Sequence, residues 1–152
     1  MEDLALIRSM DLFRDLTEDE AALVAKAARP VAYAKGAVII RERESDGTLY
    51  ILKSGSVRVS KVDHDGLEEV MTYFNAGQHF GEVALIDHKP RSATVIAEAP
   101  CEMLQIGPAD FAALLASSRD LELKIWKSLA KFFCHRLRDT TDYLCLALND
   151  EA

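Results

Sequence analysis

The chain has 152 residues, of which 49% are hydrophobic and 28% charged, and its 18 basic and 25 acidic side chains give a formal net charge of −7. A chain of this length is expected to form one domain with a full hydrophobic core. The acidic balance disfavours free-standing nucleic-acid binding, which needs a clustered basic surface, and no apolar run reaches the length of a membrane span.

The N-terminus and the cysteines both indicate a reducing compartment. The first residues, MEDLALIRSM, carry acids and no signal-peptide core, so we expect a cytoplasmic protein. Cys101, Cys134 and Cys145 are odd in number and far apart, with no CxxC pair. Buried, reduced thiols are therefore expected, rather than a disulfide or a metal site.

Two helices are predicted before residue 31. Residues 3–10 form the first. Thr17 followed by Glu20 is a capping box, in which two residues exchange side-chain and backbone hydrogen bonds and so begin a helix. Apolar residues continue this second helix to about Arg29, where Pro30 ends it.

Residues 31–106 carry the pattern of an all-β unit. Apolar and polar residues alternate, or short apolar runs stand between turn clusters such as Asp63-His64-Asp65-Gly66. Short strands with turn signals every eight to twelve residues or so are typical of a sandwich, a jelly roll or a small barrel. The predicted strands cover residues 38–40, 49–52, 56–60, 70–74, 93–97 and 101–106.

Helices are predicted again after residue 107. A short amphipathic helix contains Phe111, Leu114 and Leu115, and a break at residues 117–120 separates it from a long helix over about 121–148. Neither Gly nor Pro interrupts the long helix. Its apolar stripe comprises Ile125, Leu129, Phe132 or Phe133, Leu137, Thr140, Leu144 and Leu148.

The long helix exceeds the length that a small barrel needs. At 1.5 Å per residue it reaches roughly 40 Å. The excess length favours packing against its own copy in a two-fold homodimer. The alternative is a helix that lies wholly on its own barrel.

Residues 80–95, FGEVALIDHKPRSATV, interrupt the strand pattern, and we call this segment the cassette. Gly81 allows the backbone to approach a ligand closely or to adopt a positive φ. Residues 82–86 can form one helical turn, whose free N–H groups favour an anion. Pro90 stiffens the return of the chain.

Two charged side chains give the cassette its chemistry. Arg91 is a permanent cation whose planar donors suit phosphate oxygens, Ser92 adds a hydroxyl, and ionised Glu82 only accepts hydrogen bonds. Together they favour a compact ligand that carries both a sugar hydroxyl and a phosphate. The alternative is a surface ion pair between Glu82 and Arg91, which would contribute little.

The cassette resembles the phosphate-binding cassette of cyclic nucleotide-binding domains, whose pattern is close to FGE-x-AL, a short spacer and PR-x-A-x-V. The resemblance extends to Gly36-x-Ile-Ile, to LYILKSGSVRV at residues 49–59 and to the two C-terminal helices. It implies a mostly β fold with flanking helices, a β-roll or jelly roll, and a long C-terminal helix. Residues 1–116 would hold the N-terminal helices, the roll and the short helix, and residues 117–152 the lid and dimerisation helix.

The same resemblance assigns roles to the cassette residues. Glu82 would bind the ribose 2′-hydroxyl. Arg91 would bind the exocyclic oxygens of the cyclic phosphate, helped by Ser92 and by backbone N–H groups near Gly81 and Ala93. Apolar side chains would supply the ribose-phosphate floor, from Val83, Ala84 and Leu85, and the base pocket, from Val70 and its strand neighbours.

On the long helix, the stretch from Arg136 to Asp142 resembles the dimer helix of the catabolite activator branch of the family. Thr140 and Thr141 fall on two hydroxyl positions that would face the adenine. A hydroxyl that accepts from the adenine 6-amino group favours cAMP over cGMP, whose 6-position is a carbonyl, although a hydroxyl also donates. The implied ligand is therefore cAMP, with cGMP possible and no metal. The alternative for both threonines is helix surface or dimer seam.

The chain departs from the family pattern in two places. Family members usually have Gly at the position of Arg43, so this loop is expected to need a different backbone or to be remodelled. The activator branch continues into a helix-turn-helix domain, whereas this sequence stops at Ala152 with an acidic tail. Neither DNA binding by this chain nor membrane association is expected.

The expected function is that of a cyclic nucleotide sensor rather than an enzyme. Ligand binding would bring the long helix down as a lid, and a homodimer or a protein effector would read the change. The runner-up is a dimerisation or scaffold module with a vestigial or differently liganded roll. A metal enzyme ranks last, because His79-x-x-Glu82 suggests a cupin-like site but the other histidines do not complete its ligand set.

Overall fold

The computed structural model describes residues 2–150. Its N-terminal part contains helix α1 (Glu2–Ser9), a 3-10 turn (Asp11–Phe13) and helix α2 (Glu18–Ala27). The predicted capping box is confirmed. The Glu20 N–H donates to the Thr17 hydroxyl at 3.2 Å, and the Thr17 N–H donates to the Glu20 carboxylate at 2.9 Å.

The central part of the chain folds into two four-stranded antiparallel sheets, in the orders β1-β8-β3-β6 and β2-β7-β4-β5. Helix α3 (Glu82–Asp87) interrupts the strands, and helices α4 (Pro108–Ala116) and α5 (Arg119–Asp150) follow them. The mostly β fold with flanking helices and a long C-terminal helix is confirmed. The strands are β1 (Arg29–Tyr33), β2 (Val38–Ile40), β3 (Leu49–Ser54), β4 (Ser56–Val62), β5 (Glu68–Asn75), β6 (His79–Phe80), β7 (Thr94–Ala97) and β8 (Cys101–Ile106).

The boundary between α2 and β1 differs from the prediction. Helix α2 ends at Ala27 rather than near Arg29, and Ala28 is already extended (φ −86°, ψ 147°). Arg29 and Pro30 open β1, which lies at the edge of its sheet. An edge strand tolerates proline because that strand leaves some N–H groups unpaired. Strands β1 and β6 were not predicted.

The buried side chains form two clusters. One lies where the N-terminal helices, α4 and the first half of α5 pack on the sheet that contains β3 and β8. The other lies between the two sheets and includes Tyr50, Phe74 and Phe80, whose rings stack. The first cluster anchors the N-terminal half of α5. The second contains Phe80, the first residue of the cassette.

Helix α5 is anchored only along its first half. Leu121, Ile125 and Leu129 are buried, and Lys124 donates to Glu20 of α2 at 2.6 Å. Farther along the predicted stripe, Leu137, Leu144 and Leu148 are 69%, 55% and 58% exposed. The alternative of a helix lying wholly on its own barrel is therefore wrong, because the second half of the apolar stripe is exposed.

The cysteine prediction holds at one position. Cys101 is buried, and burial raises the pKa of its thiol. Cys134 and Cys145 are free but occupy exposed positions of α5. The expectation of buried thiols is wrong for these two residues.

Arg43, at a position where the family usually has Gly, lies in the loop between β2 and β3. Arg43 has a φ of 75°, in the left-handed region that favours glycine. Its N–H donates to the Arg91 carbonyl at 2.8 Å, and the Arg91 N–H donates to the Glu44 carbonyl at 2.9 Å. These two backbone hydrogen bonds hold the residue in a strained conformation beside the cassette.

We expect Arg43→Gly to stabilise the protein by about 0.5–1 kcal/mol, because relief of left-handed strain outweighs the added freedom of the unfolded chain. Urea unfolding with an unchanged slope measures the difference. Ser45→Gly is the control, since Ser45 is exposed in the same loop and its φ is not positive. That variant should lose stability; a loss at Arg43→Gly as well would contradict the expectation.

Candidate functional site

A cavity of about 270 Å³ opens between the cassette, strands β4 and β5, and helix α5. This volume is near the lower end of small-molecule pockets, roughly 300 Å³, and so fits a compact ligand. The wall is mainly apolar, with charged groups concentrated on the cassette and at Arg136. The lining residues are Ile40, Val59, Thr72, Phe74, Phe80, Gly81, Glu82, Val83, Ala84, Asp87, Lys89, Pro90, Arg91, Ser92, Ala93, Val95 and Arg136.

Gly81 sets the geometry of the cassette. It caps α3 with φ 89° and ψ 0°, and a Cβ at this position would lie 2.6 Å from the Thr48 carbonyl oxygen and 3.1 Å from Arg91 Nη1. Only glycine allows both this backbone conformation and this close approach. The turn directs Glu82, the first residue of α3, into the protein, where the side chain is 2% exposed.

Arg91 is buried at the floor of the cavity and is 5% exposed. Its Nη1 donates to the Gly81 carbonyl at 2.9 Å, and its Nη2 donates to the Thr48 carbonyl at 2.8 Å and to Asp46 Oδ2 at 3.3 Å. These bonds hold the guanidinium rigidly. Because a guanidinium has five N–H donors, further donors are left for a ligand.

Asp46 supplies the countercharge of Arg91. Partial burial opposes its ionisation, but hydrogen bonds from the Thr48 hydroxyl and N–H, together with the charge of Arg91, outweigh burial and hold the pKa of Asp46 below its usual range. The carboxylate is therefore ionised at neutral pH. It holds Arg91 in place from the side of the guanidinium that faces the loop.

Three buried side-chain N or O atoms among residues 2–150 have no hydrogen-bond partner: His79 Nδ1, Glu82 Oε1 and Arg91 Nε. Such atoms are rare, because a buried polar group without a partner costs about 1–3 kcal/mol, and more when it is charged. Here all three belong to the cassette or to the residue just before it. Glu82 and Arg91 line the cavity, whereas His79 does not, so a polar ligand in the cavity would supply partners for the first two residues only.

Glu82 has two basic neighbours that do not reach it. His79 Nδ1 and Arg136 Nη1 lie 3.7 Å and 3.8 Å from Oε1, beyond hydrogen-bond distance. The Arg136 guanidinium lies over the rings of Phe74 and Phe132, 5.0 Å and 5.2 Å from their centroids. Arg136 thus packs α5 against Phe74 of β5 and places a positive charge near the buried carboxylate.

The structure brings most of the predicted site residues together. Arg91 and Glu82 line one cavity, and the alternative of a surface ion pair between them is wrong, since both are buried and no salt bridge joins them. Leu85 lies behind the wall in the core packed by the helices. The other predicted residues that line the cavity are Gly81, Val83, Ala84, Ser92 and Ala93.

Val70 lies outside the cavity wall and is 41% exposed. The pairing of β4 and β5 shifts at this point, because Val59 faces Thr72 whereas Ser60 faces Val70. The extra residue, Met71, ends the inward-facing series to which Thr72 and Phe74 belong. Thr72 and Phe74 therefore occupy the positions predicted for Val70.

Thr140 and Thr141 are exposed and do not line the cavity of a single chain. Their hydroxyls donate to the carbonyls of Arg136 and Leu137, each at 2.8 Å. Each hydroxyl oxygen keeps its acceptor capacity, while its hydrogen is already used. Their contact with a base stays a prediction.

Sequence reasoning missed several residues of the site. Arg136 precedes Thr140 by one helical turn, and that spacing on one face was the available signal. Phe74 was not missed, because it is one of the apolar strand neighbours of Val70 that were predicted to line the base pocket. Asp46 gave no signal, because its contact with Arg91 spans 45 residues of sequence.

A sequence profile of the cyclic nucleotide-binding domain matches residues 30–118, which is more than half of the chain. The chain belongs to the cyclic nucleotide-binding domain family. The matched part contains both sheets apart from Arg29, the whole cassette and α4. The predicted resemblance is confirmed.

Relatives of this cyclic nucleotide-binding domain include regulators of two kinds. The cAMP-dependent protein kinase regulatory subunit of Blastocladiella emersonii is 33% identical over 77% of this chain and 29% of its own length. The Thermus thermophilus catabolite activator protein is 29% identical with a TM-score of 0.79, over 90% of this chain and 62% of that chain. The regulatory domain of Toxoplasma gondii PKA, solved with cAMP, is 32% identical with a TM-score of 0.69, over 74% and 43%.

This cyclic nucleotide-binding domain therefore spans less than a third of the length of the kinase subunit. Across residues 2–150, no helix combines the length and apolarity needed to cross a membrane. In the same part of the chain, no group of three or more His, Cys, Asp and Glu side chains is arranged to hold a metal ion.

Proposed function

We propose that this protein is a receptor for a cyclic nucleotide, with cAMP as the preferred ligand, and that it signals through α5. The observation that carries the proposal is the pair of unpartnered buried atoms, Glu82 Oε1 and Arg91 Nε, in one cavity with an apolar wall. A ligand with a phosphate and a sugar hydroxyl satisfies both atoms at once.

The phosphate would bind at Arg91. Its guanidinium is already oriented by Asp46, Thr48 and Gly81, so little side-chain entropy is lost when the ligand arrives. Ser92 lines the cavity beside it and supplies a hydroxyl. The sugar would lie along Val83 and Ala84 with its 2′-hydroxyl donating to Glu82.

Helix α5 would read the ligand through Arg136. This residue lines the cavity and lies 3.8 Å from Glu82 Oε1, so that it faces the ligand from the helix side. A ligand that contacts both the cassette and α5 stabilises the closed arrangement in proportion to those extra contacts. The division of the chain into a binding part, 1–116, and a lid helix, 117–152, belongs to this proposal.

The exposed half of α5 supports a homodimer as part of the proposal. Leu137, Leu144 and Leu148 repeat at intervals of seven and four residues on one face and are more than half exposed. Such a stripe is buried when two copies pair. We also propose that the protein acts on a protein effector, that it is cytoplasmic and that it is not an enzyme. Relatives that are named as regulatory proteins support these points.

Calorimetric titration with cAMP and cGMP, together with a thermal shift, tests the proposal. A ligand present at 100 times its dissociation constant should add about 2.7 kcal/mol to the free energy of unfolding. Glu82→Gln should lose most of this effect, whereas Glu102→Gln, exposed on β8, should retain it. Absence of binding by either nucleotide would overturn the proposal in favour of a dimerisation or scaffold module.

Replacement of both Thr140 and Thr141 by Val should reduce the preference for cAMP over cGMP by roughly three- to tenfold, the value of one neutral hydrogen bond. Both hydroxyls already donate within the helix, so they are biased to accept from the adenine 6-amino group rather than to donate to a guanine carbonyl. Competition between the nucleotides measures the preference. An unchanged ratio would show that α5 does not read the base.

A further inference from the structure

His79 is a buried polar residue that the proposed contacts with the nucleotide leave unused. It stands in β6, paired with Ile51 of β3, and is 8% exposed. It does not line the cavity but lies behind Glu82, and its ring packs on Phe132 of α5 with centroids 4.4 Å apart. His79 therefore touches the lid helix on one side and faces the buried carboxylate on the other.

The Nδ1 atom of His79 has no hydrogen-bond partner, and Glu82 Oε1 lies 3.7 Å from it. Oε1 has no hydrogen-bond partner either. An ionised carboxylate only accepts hydrogen bonds, so the two atoms attract each other when the hydrogen of the imidazole is on Nδ1. The separation of 3.7 Å exceeds the usual hydrogen-bond distance by at most about 1 Å. Small rotations of the two side chains can close this gap.

We propose that His79 is a positioning residue for Glu82. In the nucleotide complex, the Nδ1–H of His79 donates to Oε1 and holds the carboxylate in the orientation that accepts the ribose 2′-hydroxyl. This inference rests on the proposed function and extends it to a residue that does not touch the ligand.

Arg136 cannot fill this role alone. It approaches Oε1 from α5, and its side chain is 41% exposed, so its position depends on that helix. His79 approaches from a strand that is fixed in the sheet by β3. The carboxylate thus has one neighbour that moves with the lid and one that stays with the roll, and only the second can orient Glu82 before the lid closes.

Two substitutions distinguish the contribution of the His79 ring from that of its N–H donor. Asn places an amide N–H near the position of Nδ1 but removes the ring, whereas Phe keeps a ring against Phe132 and removes the donor. Comparison of cAMP with 2′-deoxy-cAMP isolates the contribution of Glu82, because 2′-deoxy-cAMP lacks the hydroxyl that would donate to this carboxylate. Calorimetry on the full chain, with circular dichroism to verify folding, gives the affinities.

His79→Phe should bind cAMP about tenfold more weakly than the unmodified protein, the value of one hydrogen bond to a charged group. The same variant should bind 2′-deoxy-cAMP with an affinity within about twofold of the unmodified protein, because the lost bond acts only through the hydroxyl. His79→Asn should restore cAMP binding to within about threefold. A purely packing role would give the opposite order, with Asn the weaker variant for both ligands.

Equal losses of cAMP and 2′-deoxy-cAMP affinity in His79→Phe, or no loss of either, would overturn the role of His79 while leaving the proposed function intact. Failure of the unmodified protein to bind cAMP would overturn the proposed function and this inference with it. The unmodified protein and the variants are measured separately, so the two failures are distinguishable.

Discussion

Arg91→Ala is expected to weaken cAMP binding by about a hundredfold or more, because two charge-assisted hydrogen bonds to the phosphate are lost and each contributes about 1.5–3 kcal/mol. The unmodified guanidinium is buried and held by two carbonyls and a carboxylate. These contacts therefore already offset the free-energy cost of burying a cation there. A ligand phosphate gains from that arrangement without having to organise it.

The same substitution also removes bonds that hold the fold together. Asp46 and the carbonyls of Gly81 and Thr48 lose a donor, so the free energy of unfolding should fall by about 1–3 kcal/mol. Each variant is for this reason compared with its own ligand-free form, and calorimetry is performed below the onset of unfolding. The two effects are then measured independently.

Two further variants sharpen the Arg91 experiment. Arg91→Lys keeps the charge but not the planar fork, and it should still bind at least about tenfold more weakly, because one ammonium cannot serve both carbonyls and a phosphate. Arg29→Ala removes one positive charge from an exposed site on the other sheet. It should leave the affinity unchanged. A full-affinity Arg91→Ala protein would exclude the cassette as the phosphate site.

Gly81→Ala is expected to destabilise the protein by about 3 kcal/mol or more, since a left-handed backbone and a steric clash combine there. The added methyl would lie 2.6 Å from the Thr48 carbonyl oxygen, which is part of the backbone and cannot turn away as a side chain does. It would also press on Arg91 Nη1 at 3.1 Å. Binding should therefore be lost along with stability.

Gly77→Ala is a matched control for this substitution. Gly77 has the same φ of 89°, but a Cβ there would meet nothing within 4 Å. Its cost should be about 1 kcal/mol, the value of left-handed strain alone. Urea unfolding of the two variants measures the difference. Equal costs would show that the packing around Gly81 relaxes freely and that the close approach is not required.

The site residues that lie within the cassette could be predicted from their spacing in the sequence. Gly81, Glu82 and Arg91 stand in one short segment, and the local requirements for a turn, an acceptor and a planar cation can be read along it. The partners of these residues come from elsewhere: Asp46 and Thr48 approach Arg91 across more than 40 residues of sequence. Such contacts depend on the order of strands in the sheets, which local patterns do not determine.

Two further outcomes show where periodic patterns stop being sufficient. The alternation in β5 predicted that Val70 faces inward, but one extra residue at Met71 changes the face. The stripe on α5 predicted correctly that one side is apolar, yet only its first half is covered. How much of a helix is covered depends on the size of the body beneath it, which the helix sequence does not contain.

Because α5 is anchored mainly near its N-terminus, a small rotation of the helix moves its C-terminal end through a larger distance. Leu129 is the last buried residue of α5, and no Gly or Pro interrupts the helix from there to Asp150, so this less buried part is a stiff arm of about 30 Å. Arg136 is a third of the way along that arm. If rigid rotation of the helix closed the gap between Arg136 and Glu82 by about 1 Å, to hydrogen-bond distance, the far end would swing roughly 3 Å. A small adjustment at the cavity would thus be magnified at the exposed end of the helix.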